Sequence, residues 1–186
     1  MPCPVTLNGM LQDCSPSQGG IVEVLIANFS DVAQVLTYDG AVFWIDTPAG
    51  SVFHQYTFKR LHGSMQTEWQ TSEEAGTKYA RTQVTLFFSR METAKRDEIS
   101  LLARGEFVML VKDGNGKWWY LGKDRPVRMI AGSAESGVAL ADRNGYSITM
   151  QDEAREVPYE VPARVVDALS KDFNNDFNED FSIVTQ

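Results

Sequence analysis

Residues 107–122 read FVMLVKDGNGKWWYLG. Two apolar runs flank Asp113, Gly114, Asn115 and Gly116, a pattern that predicts a β-hairpin. Glycines at 114 and 116 supply the positive φ that a tight reversal needs, and Asn115 tolerates the same region. Trp118, Trp119 and Tyr120 then place large rings on both faces of the return strand. A strand bulky on both sides is covered twice, once by its own core and once by a second layer or a neighbouring subunit.

The flanking segments extend the β reading. Residues 21–29 (IVEVLIANF) and 41–45 (AVFWI) are β-rich, the second framed by Asp39, Gly40, Pro48 and Gly50. Residues 32–38 read either as a strand or as an irregular link. Residues 52–60 carry rings on both faces, and 64–71 alternate Met65, Thr67 and Trp69 against Ser64, Gln66, Glu68 and Gln70. The polar run 71–79, with Glu73, Glu74 and Gly76, predicts an exposed tip before a strand over 80–88. There the period changes. Ser89 and Glu92 have capping-box spacing, Met91, Ala94, Leu101 and Leu102 share a face, and Gly105 follows as a stop, so one helix is expected over 90–104.

Two further strands are expected over 126–131 and 145–151. The connector 132–144, GSAESGVALADRN, reads as a second projecting loop, offering Ser133, Glu135, Val138 and Leu140 to a neighbour. The domain organisation expected is an arm over 1–20, an antiparallel β-sandwich or β-barrel with one flanking helix over 21–155, and a C-terminal arm over 156–186. Pro158 and Pro162 break regularity at the start of that arm, residues 163–169 could form two helical turns, and its end is acidic and asparagine-rich.

Composition narrows the function. The chain has 186 residues, 43% of them hydrophobic, enough for a sizeable core. Twenty-five acidic against 17 basic residues give a formal charge of −8, which opposes tight binding to a phosphate backbone. There is no run of eighteen apolar residues, and Met1-Pro2-Cys3-Pro4 opens no signal-like stretch, so neither membrane insertion nor secretory export is expected. Cys3 and Cys14 read as free thiols rather than a local disulfide.

Catalytic grammar is sparse. With only His54 and His62, most histidine-based sites cannot be assembled, and Glu73-Glu74 is a solvated charge run rather than a tuned carboxylate pair. Phosphate-loop, dinucleotide and nucleophile-elbow motifs are absent. Asp172, Asn174 and Asp176 imitate a calcium loop, but Phe177 replaces its glycine and Ile183 its bidentate glutamate. No enzyme activity, cofactor or metal is therefore expected. Phe173, Phe177 and Phe181 recur every four residues between carboxylates, and this stripe predicts an arm that docks its rings on another subunit or partner.

The run 105–122, the alanine- and glycine-bearing connector, Asn144-Gly145-Tyr146, and Lys95-Arg96-Asp97-Glu98 before the hairpin resemble a family of small bacteriophage and prophage structural proteins of Bacteroidetes, of tail-tube or tail-ring type. The resemblance covers roughly residues 20–160 and rests on hairpin grammar, with no catalytic residue to carry over. It implies a virion protein assembled in the host cytoplasm, forming a homo-oligomeric ring, sixfold in the tube reading. DNA would pass through without specific binding, and other tail or connector proteins would be partners. The alternatives are a head-to-tail connector or tail-hub ring, a monomeric module binding through its aromatic hairpin, and a small enzyme that a deep polar pocket containing His54 or His62 would revive.

Overall fold

The computed structural model describes residues 9, 16–59, 61–74, 76–139, 142–169 and 171–172. The chain is mainly β, built from two mostly antiparallel sheets. In chain order the elements are β1 (Ile21–Asn28), β2 (Gln34–Tyr38), β3 (Ala41–Asp46), β4 (Phe53–Thr57), β5 (Gly63–Ser72) and β6 (Thr77–Ser89). Next come α1 (Thr93–Leu102), β7 (Phe107–Asp113), β8 (Trp118–Leu121), β9 (Arg128–Glu135), β10 (Gly145–Ala154), β11 (Tyr159–Val161), α2 (Ala163–Asp167) and β12 (Lys171–Asp172). Eight strands form one sheet in the order β12-β4-β1-β7-β8-β11-β3-β2, and four form the other in the order β5-β6-β10-β9.

The central hairpin β7–β8 is the expected one, paired Met109↔Leu121 through Lys112↔Trp118. Its two faces belong to different cores. Phe107, Met109, Val111 and Leu121 join Val24 and Ile26 of β1 and Val84, Leu86, Ile148 and Met150 of the small sheet. Val108, Leu110, Trp118 and Tyr120 join Leu25 and Ala27 of β1, Val42 and Ile45 of β3, and Val165, Val166 and Leu169. Residues from both ends of the large sheet thus share the second core, so that sheet coils on itself. The second cover predicted for the tryptophan-rich strand comes from the same chain.

Turn chemistry differs from expectation at one glycine. Gly116 has φ +82, but Gly114 is not among the positive-φ residues. A Cβ on Gly114 would instead lie 3.0 Å from the Gln18 carbonyl oxygen, because residues 17–20 are laid across the turn. Gly114 N donates to Gly20 O (3.0 Å) and Gln18 N to Asn115 Oδ1 (2.7 Å). Close approach, not φ, demands that glycine.

The helix is shorter than predicted, and the capping box does not form. Arg90 takes φ +69, and the N-cap is Glu92 without a side-chain cap bond. Asn144 takes the amides instead, its backbone oxygen accepting from Arg90 N (2.8 Å) and its Oδ1 from Met91 N (3.1 Å). Only Leu102 of α1 is fully buried, with Ile99 packed beside it, whereas Met91 and Leu101 are exposed.

Three corrections concern boundaries. Residues 34–38 form β2, settling the choice between strand and link. Ser133 and Glu135, expected in a loop, lie inside β9, whose pairing with β10 runs to Gly145↔Glu135. The arm expected from 156 is integral for much of its length. β11 sits between β8 and β3, and Val161, Val165, Val166 and Leu169 are core residues. Pro162 punctuates the junction by standing at the N-cap of α2, which does not detach the segment. Cys3, Cys14, Leu140, Phe173, Phe177 and Phe181 lie outside the described residues.

Candidate assembly surface

The small sheet covers the first core with one face, and its other face is a set of polar cross-strand rows. Because side chains alternate along a strand, the pairing registers place Ser64, Thr85 and Thr149 in one row with Ala131. Gln66, Gln83, Gln151 and Arg128 form the next, and Glu68, Arg81 and Glu153 the third. Gln83 Nε2 donates to Gln151 Oε1 (3.1 Å), Gln66 Nε2 to Glu68 Oε1 (2.8 Å), and Arg81 pairs with Glu153 at 3.4 Å. In these rows two glutamates face two arginines, so the charges balance while amides and hydroxyls fill the rest.

Among the described residues no strand pairs with either edge of this sheet, although Ile21 packs on β5 at Gly63. β5 ends it on one side with ten residues and β9 on the other with eight. Every residue from 131 to 135 is exposed. The direction of the backbone groups follows from two bonds. Phe87 N donates to His62 O (2.8 Å), so the odd residues of β6 bond towards β5, and Arg90 N to Asn144 O shows the even ones bonding towards β10. Carried through the registers, Ser133 and Ala131 bond inward to β10, and the amides of Gly132 and Ala134 point off the edge. On β5 the same argument turns the backbone groups of Met65, Thr67 and Trp69 away from the sheet. Long edges with free amides and carbonyls are templates for another chain.

The projecting residues fall around this sheet. Glu73, Glu74 and Gly76 form the tip between β5 and β6, with Gly76 at φ +61 and its amide on Glu73 O (3.4 Å). Val138 is fully solvent-exposed on the connector after β9. Asp142 Oδ2 accepts from Val138 N (2.8 Å) and Ala139 N (2.7 Å). The two amides, Ala139 first, hold the Asp142 carboxyl below its ordinary range. The sequence reading located the loops but missed the edge beside them, because residues 131–135 are too small and polar to announce a strand.

Other chemistry is thin among the described residues. His54 borders a depression of about 200 Å³ with Tyr56 and Glu98, and the Tyr56 hydroxyl donates to Glu98. Burial, with that carboxylate adding, pushes the Tyr56 hydroxyl above its ordinary range. His62 is elsewhere, its ring edge-on to Phe87 at 5.1 Å. Among the described residues no group of three or more His, Cys, Asp or Glu is placed to hold a metal ion. No described helix is long and apolar enough to cross a membrane.

One buried carboxylate was not anticipated. Asp152, on the inner face of β10, is 3% exposed and its Oδ1 has no hydrogen-bond partner. The amides of Gly122 and Glu153 donate to the carboxylate, tying the end of the central hairpin to the small sheet. Burial pushes its pKa up to about 6, the Gly122 amide pulling back and the Asp124 charge adding to the rise. The nearby Tyr120 hydroxyl is also buried without a partner, and burial and the Asp152 charge raise it well above the ordinary phenol range. No protein-family model matches this chain, and no curated protein or solved structure matches it.

Proposed function

We propose that the protein is a structural subunit of a bacteriophage tail, assembling head to tail into a ring or tube through which DNA passes. The observation that carries this reading is a four-stranded sheet with two long edges that no described strand pairs and a polar, charge-balanced outer face. If β9 of one copy pairs with β5 of the next, the contact is heterologous, and such contacts close into rings when the rotation permits. The sheets of successive copies then form one continuous wall. Rows of Gln, Thr and Ser with paired charges present DNA with neither a cationic track nor strong repulsion.

The monomeric aromatic module is less well supported. Trp118 is 5% exposed inside the second core, and Trp119 is partly buried with its Nε1 donating to Asp113 Oδ2 (3.1 Å). Of the three rings of the return strand, Trp118 and Tyr120 are buried and only Trp119 keeps a partly exposed edge for a glycan or peptide.

The test is a pair of prolines on β9, with solution mass and electron microscopy as readouts. Ala134→Pro removes an amide that points off the edge and leaves the ladder to β10 intact. Ser133→Pro removes an inward one. The expectation is that wild type forms rings or tubes, whereas Ala134→Pro is folded but monomeric. A wild-type protein that stays monomeric at high concentration, or an Ala134→Pro variant that assembles normally, would refute the proposal.

A further inference from the structure

Strand β3 carries one residue more than β2 can pair. The register passes from Leu36↔Trp44 to Thr37↔Val42, leaving Phe43 as a β-bulge. Without it, alternation would bury either Phe43 or Trp44. With it, Val42 and Ile45 both face the second core, while Phe43 is 47% and Trp44 55% exposed. A bulge re-aims side chains, and here it turns two adjacent rings into solvent. They line a groove of about 290 Å³ whose other wall is α2 and the residues after it, including Arg164, Val165, Ala168 and Leu169.

Two adjacent exposed rings beside an apolar wall mark a surface that something covers. The chain itself holds a fitting occupant. Residues 173–186 carry Phe173, Phe177 and Phe181, and a solvated segment gains nothing from three phenylalanines. The course of the chain after the groove points to the segment of a different copy. The chain passes Leu169, a wall of the groove, and Lys171 and Asp172 are paired parallel to Phe53 and His54 of β4, a strand that does not line the groove. Fully extended, the fourteen residues from 173 to 186 span about 45 Å, enough to reach an adjoining subunit. Charge adds little: Arg164 favours the carboxylates between the rings, but Asp46 also lines the groove and opposes them. The rings supply the attraction.

We infer that the groove between the β3 bulge and α2 seats the phenylalanine-bearing C-terminal segment of a neighbouring copy. This deepens the assembly reading and rests on it for the neighbour. In that reading the edges of the small sheet build a ring, and this contact joins one ring to the next.

The experiment uses full-length protein with benzoylphenylalanine in place of Phe177, irradiated in a mixture of isotopically heavy and light copies. Cross-links should join position 177 to residues 41–47 or 164–169, and heavy–light pairs should be among them. Cross-links to the groove solely within one copy would overturn the neighbour, and none to the groove would overturn the site. In parallel, Phe43→Ser/Trp44→Ser and Phe173→Ser/Phe177→Ser/Phe181→Ser are viewed by electron microscopy. Phe43 and Trp44 lie outside both cores. Each variant is expected to leave rings intact and to reduce stacking at least tenfold, and stacking at the wild-type level in either would refute the contact. Absence of rings in wild type would instead refute the edge-built assembly, and the cross-links would still decide the groove.

Discussion

The eight-stranded and four-stranded sheets share one apolar layer and finish differently. In the large sheet, β1, β7 and β8 are covered on both faces by the same chain, and the ends of the sheet meet in a common cluster. Its outermost strands are short, β2 with five residues and β12 with two. Described residues cover the small sheet on one face, and its outermost strands run for ten and eight residues. Holding the fold together and offering a surface to other copies therefore fall to different sheets. Variants in one should lower stability, and variants in the other should change assembly at little cost in stability.

The largest effect is expected from Leu110→Ala, which empties the second core beside Leu25, Trp118 and Tyr120. A fully buried leucine truncated to alanine costs about 2–5 kcal/mol, so chemical denaturation should show a lowered midpoint and assembly should fail with it. A variant that assembled less without losing stability would break the division between the sheets. Next is the link between them, Asp152. Its carboxyl titrates near 6 when folded against an ordinary 3.8. Between those values the folded state holds a proton that the unfolded state has lost, so stability falls as pH rises from about 4 to about 6 and stays lower above. Two pKa units correspond to on the order of 3 kcal/mol. Asp152→Asn should flatten that dependence, as measured by urea unfolding at pH 4 and pH 7, and a slope unchanged from wild type would show that Asp152 is not its source.

Gly114→Ala comes third. The new methyl meets the Gln18 carbonyl at 3.0 Å, so the strap over residues 17–20 should lift while the hairpin stays formed. The expected loss is roughly 1 kcal/mol, with faster amide exchange at Gln18 and Gly114. The smallest effect on stability, under about 1 kcal/mol, is expected from Ala134→Pro on an edge that bears no ladder bond at that amide. That same variant should have the largest effect on assembled mass, which makes it the sharpest measure of the contrast.

Features set by short-range patterns were legible in the sequence. The apolar runs around Asp113–Gly116 specified the hairpin, and the rings at 118–120 implied two covers for one strand. The features missed were settled by residues distant in the chain. Ser89 and Glu92 have capping spacing, but Asn144 supplies the acceptors for Arg90 and Met91 and Arg90 turns left-handed, so a contact across 53 residues displaced a local one. Pro158 and Pro162 suggested a departing arm, yet three residues between them pair with Trp118, Trp119 and Tyr120. Residues 131–135 lack the β-branched and aromatic signature of a strand because β10, on one side only, holds them. The bulge at Phe43 left no mark on the run AVFWI, since apolar content does not reveal which of two neighbouring rings faces in.

Asn144 has a mechanical meaning. It closes the connector that carries Val138, grips the turn before α1 through two amides, and precedes Gly145, where a Cβ would lie 2.0 Å from the Phe88 carbonyl oxygen. With no slack at that joint, one residue holds the start of β10 and the turn before α1 in a fixed relation.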